Sequence, residues 1–95
     1  MRSRYTAFAV GDARHLLRTW HASTRPRTLT LDPAIVWRRL VVLDVVDGSP
    51  WDTVGEVEFV AHYVVDAARG RLHERSRFVR EDGSWFYVDG AEPVP

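Results

Sequence analysis

The sequence predicts an α+β domain in which early helices cover a curved antiparallel sheet. Three observations point there: apolar residues recur at helical spacing up to Trp20, long alternating runs fill residues 53–66 and 71–80, and Asp82-Gly83 marks a tight hairpin. Residues Arg2–Val10 support a first helix with Arg4, Phe8 and Tyr5 toward one side. Gly11 can leave the helical region, and Asp12 can cap a second helix, Ala13–Trp20, whose apolar side is Leu16, Leu17 and Trp20. Asp32-Pro33 is a helix-start signal, so a third short helix is expected through Ala34–Arg38 with Trp37 inward.

The β-branched stretch Leu40–Val46 reads as strand and ends at Asp47-Gly48-Ser49-Pro50. Thr53–Asp66 alternates with Val57, Phe59, Ala61, Tyr63 and Val65 toward the core, and Ala67–Gly70 reads as a connection. In the next strand, Arg71–Arg80, the positions Arg71, His73, Arg75 and Arg77 form a solvated face, which turns Leu72, Glu74, Ser76 and Phe78 inward. A last strand carries Trp85, Tyr87 and Asp89. Bulging near Gly55 would curve this sheet into a half-open cone with a pocket beneath the helices.

Ninety-five residues suffice for one domain, 1–95, and one core. There is no cysteine, hence no disulfide and no thiolate chemistry; no metal site and no cofactor are expected. All 13 basic residues are arginine, eight of them in residues 1–47 against four aspartates, whereas residues 48–95 hold five against nine acids. Halves of opposite sign favour packing on each other over a broad cationic surface, so nucleic acid is not an expected partner. No apolar run is long enough to span a membrane and none follows Met1 as a signal segment, so a cytoplasmic protein without membrane contact is expected.

Glu74 is the leading functional candidate. A carboxylate facing a small core needs a partner: arginine would make it a structural ion pair, and its absence would suit a general acid or base. Arg4 is the preferred partner and Arg2 the next, with Ser76 and Tyr5 as hydrogen-bond donors. Asp44, in an otherwise apolar strand, reads equally as inward, beside Leu40, Val42 and Val46, or outward, leaving Val41, Leu43 and Val45 as core. His21 follows the second helix, whose end favours a cation, and could border the cavity. Glu74, Asp44 and His21 are thus the catalytic candidates; Arg4, Tyr5, Trp20, Tyr63, Glu74 and Ser76 are the ligand-binding candidates. His62 and His73 read as surface residues, and Arg75, Arg77 and Arg80 as a basic face paired across strands with Glu56 and Glu58.

Met1-Arg2-Ser3-Arg4-Tyr5-Thr6-Ala7-Phe8, Thr19-Trp20-His21, Val57-Glu58-Phe59 with Ala61 and Tyr63, His73-Glu74-Arg75-Ser76-Arg77-Phe78, and Trp85 with Tyr87-Val88-Asp89-Gly90 together resemble the YchJ-like family of uncharacterised bacterial proteins (UPF0225). The resemblance runs through almost the whole chain. It implies an NTF2-like (cystatin-like) cone, an architecture shared by ketosteroid isomerases, dehydratases and non-catalytic binding domains, so it selects no reaction. Longer members resemble this chain with a cysteine-rich SEC-C zinc motif ahead of the stretch matching Met1–Phe8; that motif is missing from these residues.

These readings lead to a non-catalytic module for a small apolar or anionic ligand or for a protein. Its expected form is a homodimer that covers Val60, Val64, Phe86 or Val88 through the sheet, with Arg4–Glu74 as an internal pair. The alternative is an isomerase, dehydratase or hydrolase that uses Glu74 or Asp44 in the pocket.

Overall fold

In the computed structural model, which describes residues 2–91, the elements run α1 (Arg2–Val10), α2 (Ala13–Arg18), β1 (Val36–Asp47), β2 (Val54–Val65), β3 (Ala68–Glu81) and β4 (Ser84–Ala91). The strands form one antiparallel meander in the order β1-β2-β3-β4, and the helices pack on one face of it. Gly11, at φ 77°, ends α1, and the Asp12 carboxylate accepts a hydrogen bond from the His15 amide at 3.0 Å, capping α2. Leu16 is fully buried under α1, and Phe59 and Ala61 of β2 form the sheet's contribution to the core. Burial of the Leu16 side chain alone contributes about 2 kcal/mol.

Three local expectations are corrected. No third helix follows Asp32-Pro33. The aspartate does cap a turn, its Oδ1 accepting from the Ala34 amide at 2.9 Å, but the turn closes at β-branched Ile35 and the chain enters β1 at Val36. The second connection is only Asp66-Ala67, both with positive φ (49° and 65°), so β3 begins at Ala68 and includes Arg69 and Gly70. This is a two-residue hairpin with an alanine where glycine is usual. Finally, the sheet's irregularities do not sit at Gly55; they lie between Trp37 and Arg39, between Val42 and Asp44, and between Arg77 and Phe78.

The bulge at Leu43 has a large effect. Leu40 and Val42 pair with Ala61 and Phe59 on the core side, but Asp44 then pairs with Glu58 on the outer side, and Val45 returns inward opposite Val57. Neither uniform alternation describes β1, because one extra residue reverses the face.

Glycines on β3 and β4 admit side chains from neighbouring residues. The Tyr63 ring lies over Gly70, its cross-strand partner, and the carboxyl group of Glu74 occupies the space where Gly90 would carry a Cβ. Segment 19–21 runs beside β4: the Tyr87 amide donates to Thr19 O at 2.8 Å and the His21 amide to Tyr87 O at 2.7 Å. The sheet edge at β4 is thereby covered.

Candidate functional site

Arg4 points from α1 toward the sheet and is 4% exposed. Its Nη1 donates to Leu16 O at 3.0 Å and to Thr19 Oγ1 at 2.8 Å, so it holds the last turn of α2. Its guanidinium also stacks 4.4 Å from the Tyr87 ring centroid and 5.2 Å from that of Trp20. Burial pulls the Arg4 pKa down, while Tyr87 and Glu74 push it back up.

The expected Arg4–Glu74 contact is not formed as a direct ion pair among the described residues. The Leu16 carbonyl and Thr19 hydroxyl engage Arg4 on the helix side, so the two charges attract each other across space. Among the described residues the one hydrogen bond to the Glu74 carboxylate comes from Ser76 Oγ, at 2.6 Å, and Ser76 is fully buried.

Arg4, Glu74 and Ser76 line a cavity of about 110 Å³ between α1 and the sheet. Its remaining wall is mainly aromatic: Tyr5, Phe8, Trp20, Trp37, Phe59 and Tyr87. Trp37 ties this wall together, meeting Tyr5 edge-on at 6.3 Å and Tyr63 at 5.3 Å. The buried hydroxyl of Tyr5 has no hydrogen-bond partner among the described residues, and burial raises its pKa. Tyr87 is pushed up to about 12, chiefly by burial and then by the Glu74 charge, with Arg4 opposing, so at neutral pH it is an uncharged donor. A second compartment of about 240 Å³ lies toward the β1–β2 hairpin and shares Arg4 and Tyr87 as part of its lining.

The structure therefore brings five of the six ligand-binding candidates to one cavity: Arg4, Tyr5, Trp20, Glu74 and Ser76. Tyr63 is one layer removed and touches the cavity only through Trp37. Two catalytic candidates lie elsewhere. Asp44 is on the outer face, where Arg75 Nη1 meets its Oδ2 at 3.3 Å, because the Leu43 bulge turns it away from Val42. His21 bonds Ser23 Oγ at 2.6 Å and Glu81 Oε1 at 2.7 Å beside the β3–β4 hairpin and lines none of the cavities described above. Trp37 and Tyr87 also line the cavity, and neither is among the candidates that the sequence offers. The helix-start signal at Asp32-Pro33 masks Trp37, while the alternation of Trp85 and Tyr87 is a signal for the latter.

The outer face is a charge lattice. Arg75 binds Glu56 Oε1 at 3.3 Å and Glu58 Oε1 at 3.1 Å, His73 binds Glu58 at 2.9 Å, and Arg77 grips Asp89 in two-point fashion. The His73 and Arg75 hydrogen bonds hold Glu58 below its ordinary value, and Arg77 does the same for Asp89. Val60, Val64, Phe86 and Val88 are half-buried. Among the described residues no helix is long and apolar enough to cross a membrane.

Comparison with known proteins gives one consistent answer. The family described as the middle NTF2-like domain of YchJ matches residues 1–90. A UPF0225 protein, SCO1677 of Streptomyces coelicolor, is 57% identical over 90 residues, which cover 95% of this chain and 69% of that protein. A UPF0225 protein of Chromobacterium violaceum is 50% identical, again over 95% of this chain and 69% of its own length, and one of Streptomyces avermitilis is 48% identical, with 61% of its length matched. In three dimensions the chain is similar to the solution structure of RPA3114, a SEC-C motif containing protein from Rhodopseudomonas palustris, with a TM-score of 0.83 at 26% identity, covering 99% of this chain and 76% of that one. None of the 95 residues here is a cysteine, so the SEC-C motif region is missing from this chain.

Proposed function

The chain belongs to the family of YchJ middle NTF2-like domains, and on that premise we propose that it is a binding module holding a small, largely apolar molecule with one hydroxyl-like group between α1 and the sheet. The observation that carries this reading is the polar pair left open in an aromatic cavity: among the described residues Glu74 receives only Ser76, and the Tyr5 hydroxyl receives nothing. A hydroxyl serves both, donating to the carboxylate and accepting from the phenol. An anion would meet the Glu74 charge, so a neutral ligand suits the site better. In this reading the helices and sheet are two walls of a half-open cone. The two compartments together reach the small end of ligand sites, about 300–1,000 Å³.

The test is a 1H–15N NMR titration with phenol, cyclohexanol and benzoate. Saturable shifts at Tyr5, Trp20 and Tyr87 with the two alcohols, weaker with benzoate and reduced in Glu74→Gln, are expected. Failure of both alcohols to shift these residues would refute the proposal.

A second reading, proton transfer by Glu74, draws on one observation: the carboxylate is free of arginine. Solvent deuterium entering cyclohexanone at the carbon beside the carbonyl, in a manner lost in Glu74→Gln, would move the assignment to an enzyme.

A further inference from the structure

The two edges of the sheet differ. At β4 the edge is covered by segment 19–21, as described, and Thr24 Oγ1 adds a bond to Val88 O at 2.6 Å. At β1 the strand pairs only with β2, and among the described residues no other backbone group bonds to it. This open edge is twelve residues long and rich in valine, with Val36, Leu43, Val45 and Val46 exposed at 47%, 52%, 59% and 36%. Such an edge is a template for another strand.

Its sequence answers which strand. Arginines occupy one end of β1, at Arg38 and Arg39, and aspartates the other, at Asp44 and Asp47. Counted in rungs of the ladder with β2, Arg39 stands two rungs from Val41 in one direction and Asp44 two rungs in the other. Leu40 and Val42 stand one rung away, Trp37 and Val45 three, and Val36 and Val46 four. The bulges create this symmetry: without the extra residue at Leu43, Asp44 would lie on the core side. As it is, Arg39, which reaches His62, and Asp44, which reaches Arg75, share the outer face.

We propose that β1 pairs antiparallel with β1 of a second copy about a two-fold axis at Val41, joining the two sheets edge to edge. Arg39 of each copy then faces Asp44 of the other, twice, and Trp37 and Leu40 face Val45 and Val42 on the core side. Every rung from Val36 to Val46 joins either opposite charges or two apolar residues, with Asp47 beyond the last of them, which is the self-complementarity an isologous contact requires. The bulged residues Arg38 and Leu43 stand outside these rungs. This route to a dimer differs from pairing through Val60 and Phe86 on the sheet face; its paired residues Trp37 and Val45 also line the two compartments of the cavity.

The chain has no cysteine, so Val41→Cys places a single thiol on the axis. Paired residues across an antiparallel ladder have Cα atoms about 4.5–5.5 Å apart, within disulfide range. Under mild oxidation Val41→Cys should cross-link to a dimer and Val60→Cys should not. In sedimentation equilibrium, Arg39→Asp and Asp44→Arg should each weaken the wild-type dimer roughly tenfold or more, and the double exchange should restore it. Circular dichroism checks that each variant is folded. Val60→Cys cross-linking in place of Val41→Cys, a dimer indifferent to both charge reversals, or a wild-type protein that is monomeric at millimolar concentration would each overturn the proposal.

Discussion

The guanidinium of Arg4 lies 4.4 Å from the centroid of the Tyr87 ring, so the first helix and the last strand meet through one stacked cation. The same side chain donates to Leu16 O and Thr19 Oγ1, which makes it the joint of α1, α2 and β4. Replacing Arg4 with methionine would leave the buried Leu16 carbonyl with only the 3.4 Å contact from Thr19 Oγ1 and remove the donor to Thr19 Oγ1. A loss of about 2–4 kcal/mol is expected in urea denaturation, with Arg4→Lys intermediate because a single ammonium cannot both fork and stack.

Gly90 tests the cavity separately from the fold. An alanine Cβ there would fall within the Glu74 carboxyl group. The carboxylate is the end of a flexible side chain and can swing aside, so stability should change by no more than about 1 kcal/mol. Its bond to Ser76 should nevertheless be lost, and alcohol binding with it. Unaltered NMR shifts of the Glu74 carboxyl carbon in Gly90→Ala would contradict this geometry.

Ala67 sits at φ 65°, a conformation that costs a β-carbon about 1 kcal/mol. Ala67→Gly supplies the residue that the Asp66-Ala67 hairpin lacks. A gain of up to about 1 kcal/mol is expected, because the entropy added to the unfolded chain offsets part of the relief. Thermal unfolding should show a raised Tm.

Titration should destabilise the fold at both pH extremes. For Tyr87, the folded phenol keeps its proton to about pH 12 and the unfolded one only to about 10. The folded state therefore holds more protons between those values, and this contribution, complete below pH 10, disappears as pH rises through 12. Tyr87→Phe should flatten that alkaline limb. At the other extreme, Glu58 and Asp89 are held below their ordinary values of 4.5 and 3.8, so the stability they add is present above those values and is lost as pH falls below them. Glu58→Gln should have a shallower acid limb in chemical denaturation read across pH.

What the sequence by itself determined is the set of decisions that depend on near neighbours. Asp12 beside Gly11 ends one helix and starts another, Asp82-Gly83 makes a hairpin whose two residues both accept positive φ, and strict alternation around Phe59 and Ser76 turns Glu74 inward. What only the tertiary structure decided are choices between local options of similar energy. Asp32-Pro33 could start a helix or a turn, and the β-branched residues that follow are better accommodated when β2 supplies a ladder. Asp44 could face either way until a bulge opposite Phe59 and Glu58 reversed the strand. Arg4 could reach Glu74 or the end of α2, and the buried Leu16 carbonyl, otherwise met only at 3.4 Å by the Thr19 hydroxyl among the described residues, took the guanidinium. In each case the winning option satisfies a polar group or covers an apolar one on a distant segment, and sequence spacing carries no information about that distance.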